Sequence, residues 1–358
     1  MPEATLSLSS ARPNLLIDGQ DAADLAASMF EMSVAERSDG MAHAEISFGA
    51  WGIRNGGPDY TLFTRDRLEF GKLLEVRLGD VSVFKGRIMA LEGRFPEGGV
   101  GESELAVFAE DRLQDLRMTR RTRSFEQMSD ADLAQRLASD HGLQAQVDLP
   151  GPTHAVLTQV NQSDLAFLRD RARALGGEIW VDGDTLHLAP RPSRHSGSAI
   201  DLSYGNTLQG FDVRADLAHQ RTSLNVSGWS RANKEAINER ADDSVLSSEL
   251  NGGDGGLSLL QRTLGSRPDT VSHLMPDTAD EARSMAQSWL RQIGRRFVCG
   301  RGVCQPQASM RAGRHVNLQG LGALFDGEYT VTEVCHRFDA ARGLRTEFAV
   351  ERPAIGRP

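Results

Sequence analysis

The sequence has few aromatic residues, few cysteines and no long apolar run, and each shortage excludes a class of protein. Aromatic residues make up 6% of the 358 residues while glycine reaches 36, which favours many short strands and turns over a large helical core. Three cysteines, an odd and low number, predict reduced thiols instead of a disulfide framework. No apolar run approaches the roughly 20 residues that a membrane-spanning helix requires.

The charge balance restricts the partners in turn. The formal net charge is −9 at pH 7, which does not favour general adhesion to nucleic acid or to an anionic membrane. We therefore expect no membrane insertion by this chain and no sequence-specific binding of nucleic acid. The first residues, MPEATLSLSSARPNLLIDG, carry neither a basic region nor a continuous apolar stretch, so we expect no signal peptide. We therefore expect the protein to be assembled in the cytoplasm.

Residues 1–112 are predicted to form a first β-barrel or sandwich. Apolar and polar residues alternate along short runs that glycine-rich turns separate, a pattern typical of strands that bury one face. The alternating apolar residues are Phe30, Met32, Val34, Ala44, Ile46, Phe48, Leu74, Val76, Leu78, Val81, Val83, Leu105 and Val107.

Residues 113–192 are predicted to form a helix-rich inserted domain. Ser129, with Asp132 three residues later, is typical of a capped helix start. Ser163 is predicted to cap a second helix and Asp164 to face the positive end of its dipole. The apolar stripe of that helix is Leu165, Leu168, Ala172 and Leu175. A hairpin follows the helix, with Asp182-Gly183 as its two-residue turn.

Residues 193–230 and 296–354 are predicted to form a second, discontinuous β-barrel, because the period of two returns there. Residues 231–295 are predicted to be an insertion between them. Its polar part, 231–276, is expected to be an insertion or mobile loop, and a third helix, capped by Asp277 and ended by Gly294, follows. The chain as a whole is therefore predicted to be α+β and mainly β.

Three groups of side chains could be imagined as chemical sites. A metal site could be imagined at Cys299, Cys304, Cys335, His315 and His336. These residues lack the spacing of a zinc ribbon or finger, so we favour the interpretation that they are small buried residues in strands. The basic cluster Arg117–Arg123 could contact nucleic acid or an acidic partner, but a solvated strand edge with ion pairs is favoured. Asp111 and Asp115 lie one helical turn apart, and nothing else indicates a sugar-cleaving site. We predict no catalytic residue, no metal and no cofactor.

Two patterns in the chain have a recognisable order and spacing. The first is carried by Gln159, Ser163, Asp164, Leu165, Phe167 and Leu168. The second is carried by Gly313, Val316, Leu318, Gly320, Asp326, Gly327, Tyr329, Val331, Val334, His336, Gly343, Thr346 and Phe348. Together they resemble the late control protein D family of phage tails and the N-terminal half of VgrG proteins of contractile injection systems. The motif residues are interpreted as structural positions.

The resemblance implies a tail-hub protein with two tube-protein-like β-barrels, an inserted helical and hairpin domain, and a second insertion. A homotrimer of such chains presents six barrels to a sixfold inner tube and carries a threefold spike below. The implied partners are the inner tube or a tube-initiator protein, other baseplate proteins, and a spike expected to be a separate protein because the chain stops at Pro358. The implied location is the baseplate of a phage tail or tail-like particle assembled in the bacterial cytoplasm.

Two other functions remain open. A saccharide-binding or wall-degrading module of a tail would need converging carboxylates or a groove of exposed aromatic side chains. A tube or adaptor protein of the same machine would assemble with sixfold instead of threefold symmetry.

Overall fold

The computed structural model of the chain describes residues 12–54, 56–97, 103–149, 151–194 and 197–357. Within these residues, 25 strands and six α-helices surround four hydrophobic cores. Most of the strands belong to one 13-stranded sheet, so the predicted mainly β class is confirmed. None of the described helices is long and apolar enough to cross a membrane.

The first β unit contains the first hydrophobic core. Its elements are β1 Asn14–Ile17, β2 Gln20–Asp21, α1 Ala23–Ser28, β3 Met29–Arg37, β4 His43–Gly49, β5 Trp51–Arg54, β6 Gly57–Tyr60, β7 Leu73–Leu78, β8 Val81–Arg94 and β9 Glu104–Glu110. Its strands pair antiparallel in the order β3-β4-β9-β8-β7-β1-β2. The predicted alternation is confirmed along β7, but it is wrong at the start of β8, where Val81 is 46% exposed because it directly follows the Gly79-Asp80 turn.

A helical unit follows and contains the second core. Its elements are α2 Leu113–Arg117, β10 Arg120–Ser129, α3 Asp130–Asp140, β11 Gln144–Val147, β12 Thr153–Ser163, α4 Asp164–Ala174, β13 Gly177–Asp182 and β14 Thr185–Pro190. Both predicted caps are confirmed, because Ser129 and Asp132 form a capping box and the Ser163 hydroxyl accepts from the Ala166 amide. The ribbon of β10 and β12 was not predicted.

The β13–β14 hairpin forms as predicted, but its loop lies one residue further on. Asp182 pairs with Thr185, so the two loop residues are Gly183 and Asp184, where Asp182-Gly183 was predicted. Gly183 has a φ of +58°, which places the left-handed residue first in the loop. The register across the strands, and not the Asp-Gly pair itself, sets the turn.

From residue 200 onward the chain contributes in turn to the third and the fourth hydrophobic core. Its elements are β15 Ile200–Ser203, β16 Leu208–Ala215, β17 Ser223–Ser230, β18 Glu235–Asp242, β19 Asp254–Gly255, α5 Gly256–Leu264, β20 Pro268–Val271, α6 Ala279–Arg295, β21 Val298–Cys304, β22 His315–Gln319, β23 Gly327–Asp339, β24 Gly343–Arg352 and β25 Ala354–Ile355. The second β unit consists of β15, β16 and β21–β24 around the third core.

One long strand joins the two β units. The first half of β23 pairs with β22, while its second half pairs with β3 of the first β unit, from Glu333 opposite Arg37 to Asp339 opposite Glu31. The same β23 pairs along its length with β24. The two β units are therefore neighbours in one continuous sheet.

The fourth core corrects the prediction for residues 231–276. This segment, expected to be an insertion or mobile loop, contains β18–β20 and α5, and its apolar side chains pack beside α6. Strand β17, predicted to be part of the second barrel, pairs with β18 and β20 instead. The predicted domain boundaries themselves remain a proposal.

Both predicted ends of the third helix are wrong. Thr278, and not Asp277, caps α6 by accepting from the Glu281 amide. Gly294 lies inside the helix instead of ending it. A Cβ at that position would lie 2.2 Å from Leu246 Cδ1, so glycine is needed for close packing and not for a stop.

Candidate functional site

The first sequence motif builds a buried hydrogen-bonded carboxylate. Asp164 is 1% exposed, and its Oδ1 accepts from Gln159 Nε2 and Arg123 Nη2, each at 2.8 Å. Its Oδ2 lies 2.9 Å from His141 Nε2. Burial by itself would raise the pKa of Asp164, but these hydrogen bonds and the nearby positive charges of Arg123 and Arg121 outweigh it and lower the pKa.

This arrangement gives Asp164 a larger role than the predicted helix-dipole contact. The carboxylate ties α4 to β10, β12 and the end of α3 at one point. Phe167 and Leu168 point into the second core, where Phe167 stacks on Phe125 at 6.1 Å. The motif is a packing device of the helical unit.

The second motif holds the strands of the second β unit. Asp326 Oδ1 accepts from the Leu321 amide at 2.6 Å, and Gly327 opens β23 with a φ of +123°. The Tyr329 hydroxyl donates to the Phe325 carbonyl at 2.8 Å, and Thr346 Oγ1 accepts from the Gln307 amide at 2.9 Å. The Asp326 contact lies within the loop before β23, while the Tyr329 and Thr346 contacts join a loop to a strand.

His336 is the buried titratable group of this motif. It is 1% exposed, and its Nδ1 lies 3.1 Å from Thr346 Oγ1. Burial, followed by the charge of Arg311, lowers the pKa of His336 from 6.5 to about 4.

We expect acidification to destabilise the fold through His336. Between pH 6.5 and about 4 the unfolded histidine binds a proton that the folded one does not, so stability falls as pH falls, by about 3 kcal/mol in total. Asp111 acts in the opposite sense, since burial raises its pKa to about 6. The measured quantity is therefore the free energy of unfolding of the parent minus that of His336→Gln, obtained by urea denaturation at several pH values. The exposed His315→Gln variant serves as control, and equal pH dependence in parent and His336→Gln would contradict the assignment.

The motif residues are not brought together in space. Gln159, Ser163, Asp164, Phe167 and Leu168 belong to the helical unit. The other motif residues belong to the second β unit: Asp326, Gly327, Tyr329, His336 and Thr346. The structure therefore places the predicted positions in two separate scaffolds and not in one site.

A buried ion-pair network, which sequence reasoning missed, lies where three units meet. Arg194, with a side chain 1% exposed, donates from Nη2 to Glu36 Oε1 at 3.1 Å and from Nη1 to Glu178 Oε2 at 3.0 Å. Arg191 Nε donates to Glu178 Oε1 at 2.7 Å, and Arg191 also pairs with Glu351. Glu36 lies on β3, Glu178 on β13 and Glu351 on β24, so the network, called here the junction network, joins both β units to the helical unit.

The junction network has further support around it. Arg311 Nε donates to Glu36 Oε2 at 2.5 Å, and the Arg194 guanidinium lies 5.2 Å from the centre of the Trp180 ring. The Arg194 Nη1 also donates to the Ser38 carbonyl at 3.0 Å. The two β units and the hairpin are held in one fixed arrangement.

A cavity of about 980 Å³ borders this junction. It lies between α4, α6 and the strands β16, β21 and β24 of the second β unit. Its lining contains eight arginines and five carboxylates, among them Glu178, Arg191 and Glu351 of the junction network. The composition favours a negatively charged ligand.

The groups considered as metal or basic sites have other roles. The prediction of buried strand residues is confirmed for Cys304 and Cys335 but wrong for Cys299, which is exposed because it lies on the outward face of β21. His315 Nδ1 lies 2.8 Å from Glu328. Among the described residues, no group of three or more His, Cys, Asp or Glu side chains could hold a metal ion. In the basic cluster, Arg117 pairs with Glu110, and Arg123 with Asp140 and Asp164.

The comparison with protein families gives one match over most of the chain. The model of the Alg8 N-terminal domain matches residues 9–340. The matching model is not that of the late control protein D family, so this part of the sequence-based resemblance is not confirmed. No curated protein sequence matches the chain.

Solved structures share the fold at low sequence identity. The 43 kDa tail protein of prophage MuSo2 from Shewanella oneidensis has a TM-score of 0.71 at 14% identity, over 96% of this chain and 99% of that protein. The tail protein from Neisseria meningitidis MC58 has a TM-score of 0.68 at 14% identity, over 95% and 96%. The E. coli c3393 protein, a component of the type VI secretion system, has a TM-score of 0.58 at 11% identity, over 92% and 76%. The chain therefore has the fold of these tail and secretion proteins.

Proposed function

The chain belongs to the Alg8 N-terminal domain family, and we propose, from the fold that it shares with tail proteins, that it is a structural protein of a phage tail or a related injection apparatus. In the proposal, three copies form a baseplate hub between a sixfold inner tube and a threefold spike. Other baseplate proteins surround it, and the particle is assembled in the bacterial cytoplasm.

The observation that carries the proposal is the single sheet shared by two β units. Strands β3 and β23 join the units edge to edge, as two subunits of a ring are joined through their strands. A trimer of such chains contains six β units and can face a sixfold tube, while the chain as a whole repeats only three times. The junction network supports this role, because symmetry matching requires the two units to keep a fixed relative orientation.

An exposed aromatic cluster supports a role in protein assembly. Trp51 is 52% exposed, Ile53 83% and Phe95 61%, and the Trp51 and Tyr60 rings lie 5.1 Å apart. Clustered apolar side chains of this kind mark protein contact surfaces. We assign the β5–β6 hairpin, which carries Trp51, Ile53 and Tyr60, to the contact between copies of the chain.

No catalytic role is part of the proposal. Asp111 and Asp115, the carboxylates considered above, have structural partners: Asp111 accepts from the Ala42 and Leu113 amides, and Asp115 pairs with Arg112 and Arg87. The alternatives of a wall-degrading module and of a sixfold tube protein are separated from the hub by the next experiment, and a pull-down with glycans tests the saccharide-binding alternative.

The test is the mass of the purified chain in solution over a concentration series up to about 50 µM. We expect a particle of about 117 kDa, three times 39.0 kDa, with threefold averages in electron micrographs. A stable hexamer supports the tube alternative, and a monomer at the highest concentration contradicts the hub. Release of soluble fragments from purified cell wall would support the enzyme alternative.

A pair of variants tests the contact surface. Replacing Trp51 and Ile53 together with serine is expected to convert the trimer to monomer, because apolar area at the contact is lost. Trp229→Ser is the matched control, since Trp229 is 55% exposed on β17. Loss of the trimer in the control as well would contradict the assignment of the β5–β6 hairpin to the contact between copies.

A further inference from the structure

We propose that the cavity between α4, α6 and the second β unit binds an acidic segment of a partner protein. The segment is recognised by arginine side chains that form no ion pair with the residues that the structure describes. The inference does not depend on the proposed symmetry, because it rests on the charge and shape of one cavity in one chain.

The sign of the charge in the cavity is opposite to that of the chain. Eight arginines and five carboxylates line it, a formal excess of three positive charges, whereas the whole chain carries −9. An acidic segment is repelled by most of the protein and attracted here. Local excess of the opposite sign raises both the encounter rate and the specificity of such a ligand.

Most carboxylates in the lining already have a partner. Glu178 and Glu351 pair with Arg191, and Asp39 and Glu333 lie within 4.0 Å of Arg37. Within the described part of the chain, four lining arginines have no hydrogen bond or ion pair from their side chains: Arg169, Arg173, Arg214 and Arg301. Asp212 lies directly opposite Arg301 on the neighbouring strand, and the carboxylate charges that act on Arg169 are those of Asp39 and Asp111.

Arg169 points to a missing acceptor. Its side chain is half-buried on α4, and its Nη2 is buried with no hydrogen-bond partner among the described residues. Burial, followed by the charge of Arg173, lowers the pKa of Arg169. A buried charged donor without an acceptor is costly, and a carboxylate entering the cavity would remove that cost.

The layout of the four arginines fits an extended segment better than one small anion. Arg169 and Arg173 are four residues apart on α4, and so about 5–6 Å apart at Cβ. Arg214 and Arg301 lie on the adjacent strands β16 and β21. Side chains at alternate positions of an extended chain are about 6.6 Å apart, which is close to the Cβ spacing of Arg169 and Arg173. The volume of about 980 Å³ is near the top of the usual range for ligand sites and far exceeds one phosphate.

The test uses the full chain and a fluorescently labelled eight-residue peptide with glutamate at alternate positions. We expect saturable binding by fluorescence anisotropy and at least tenfold weaker binding for the double variant Arg169→Gln with Arg173→Gln. These substitutions remove no internal hydrogen bond, so unchanged thermal unfolding confirms that the variant is folded. A second double variant, Arg214→Gln with Arg301→Gln, tests the strand side of the cavity. The exposed Arg240→Gln, on β18 outside the cavity, is the matched control.

Cys299 provides an independent readout, because it is exposed in the cavity lining while Cys304 and Cys335 are buried. Bound peptide should slow its modification by a maleimide. Equal binding of a glutamine version of the peptide, equal loss in Arg240→Gln, or no protection of Cys299 would overturn the proposal. Displacement of the peptide by pyrophosphate at lower concentration than by unlabelled peptide would identify a small-anion site instead.

Discussion

Arg194→Met is expected to lower the free energy of unfolding by about 3–5 kcal/mol. The side chain of Arg194 is 1% exposed and donates to both Glu36 and Glu178. Without it, the largely buried carboxylates of Glu36 and Glu178 each lose a positive partner. Removing one member of a buried ion-pair network costs more than the pair contributes, because the remaining charge stays desolvated. The measurement is urea denaturation followed by circular dichroism.

The control for Arg194 is an exposed arginine that also makes two hydrogen bonds to carboxylate oxygens. Arg67 donates to both oxygens of Asp24 at 2.7 and 2.8 Å, but the two side chains are 46% and 63% exposed. Arg67→Met is expected to cost less than about 1 kcal/mol, because water replaces the lost partner. If the two variants lose the same stability, burial is not what makes the junction network important.

Asp164→Ala should also cost about 3–5 kcal/mol. The substitution leaves Gln159 and Arg123 without the acceptor that both share and removes the partner of His141. Gln159 is fully buried, so its amide cannot turn to solvent. Asp164→Asn keeps one oxygen acceptor and should lose less. Thermal unfolding of the two variants beside the parent gives the comparison.

The control for Asp164 lies on the same helix. Asp170 is exposed and accepts one hydrogen bond, from Gln162 at 2.9 Å. Asp170→Ala is expected to change stability by less than about 0.5 kcal/mol. In the parent, the lowered pKa of Asp164 contributes stability above its unfolded pKa of about 3.8 that is lost as pH falls below that value. A loss for Asp164→Ala that is as large at pH 2 as at pH 7 would contradict the role of its charge.

Local patterns in the sequence predicted local structure well. Alternation over a few residues identified β3, β4, β7, β8 and β9, because a strand with one buried face needs no distant information. The caps at Ser129 and Ser163 are likewise contained within four residues. The hairpin turn moved by one residue because the strand pairing decides which residues form the loop.

Features that depend on distant contacts could not be predicted in this way. Leu246 and Leu257 lie in a polar stretch of the sequence, and their burial follows from packing in the fourth core beside α6. Arg194 and Glu36 are 158 residues apart, and Arg311 and Glu36 are 275 apart. No periodicity connects such positions. The junction network and the arginine-lined cavity could therefore not be predicted from the sequence alone.

The shared strand also constrains how the chain folds as it leaves the ribosome. Phe338 and Leu344 are buried in the core of the first β unit, although most of that core comes from residues 15–109. The N-terminal unit therefore cannot complete its core until the segment that contains Phe338 and Leu344 has been synthesised. Contacts across such a long sequence separation form slowly, and the open edge of β3 stays exposed in the meantime. The strand that joins the two β units thus makes the folding of the first unit depend on residues that are synthesised long after it.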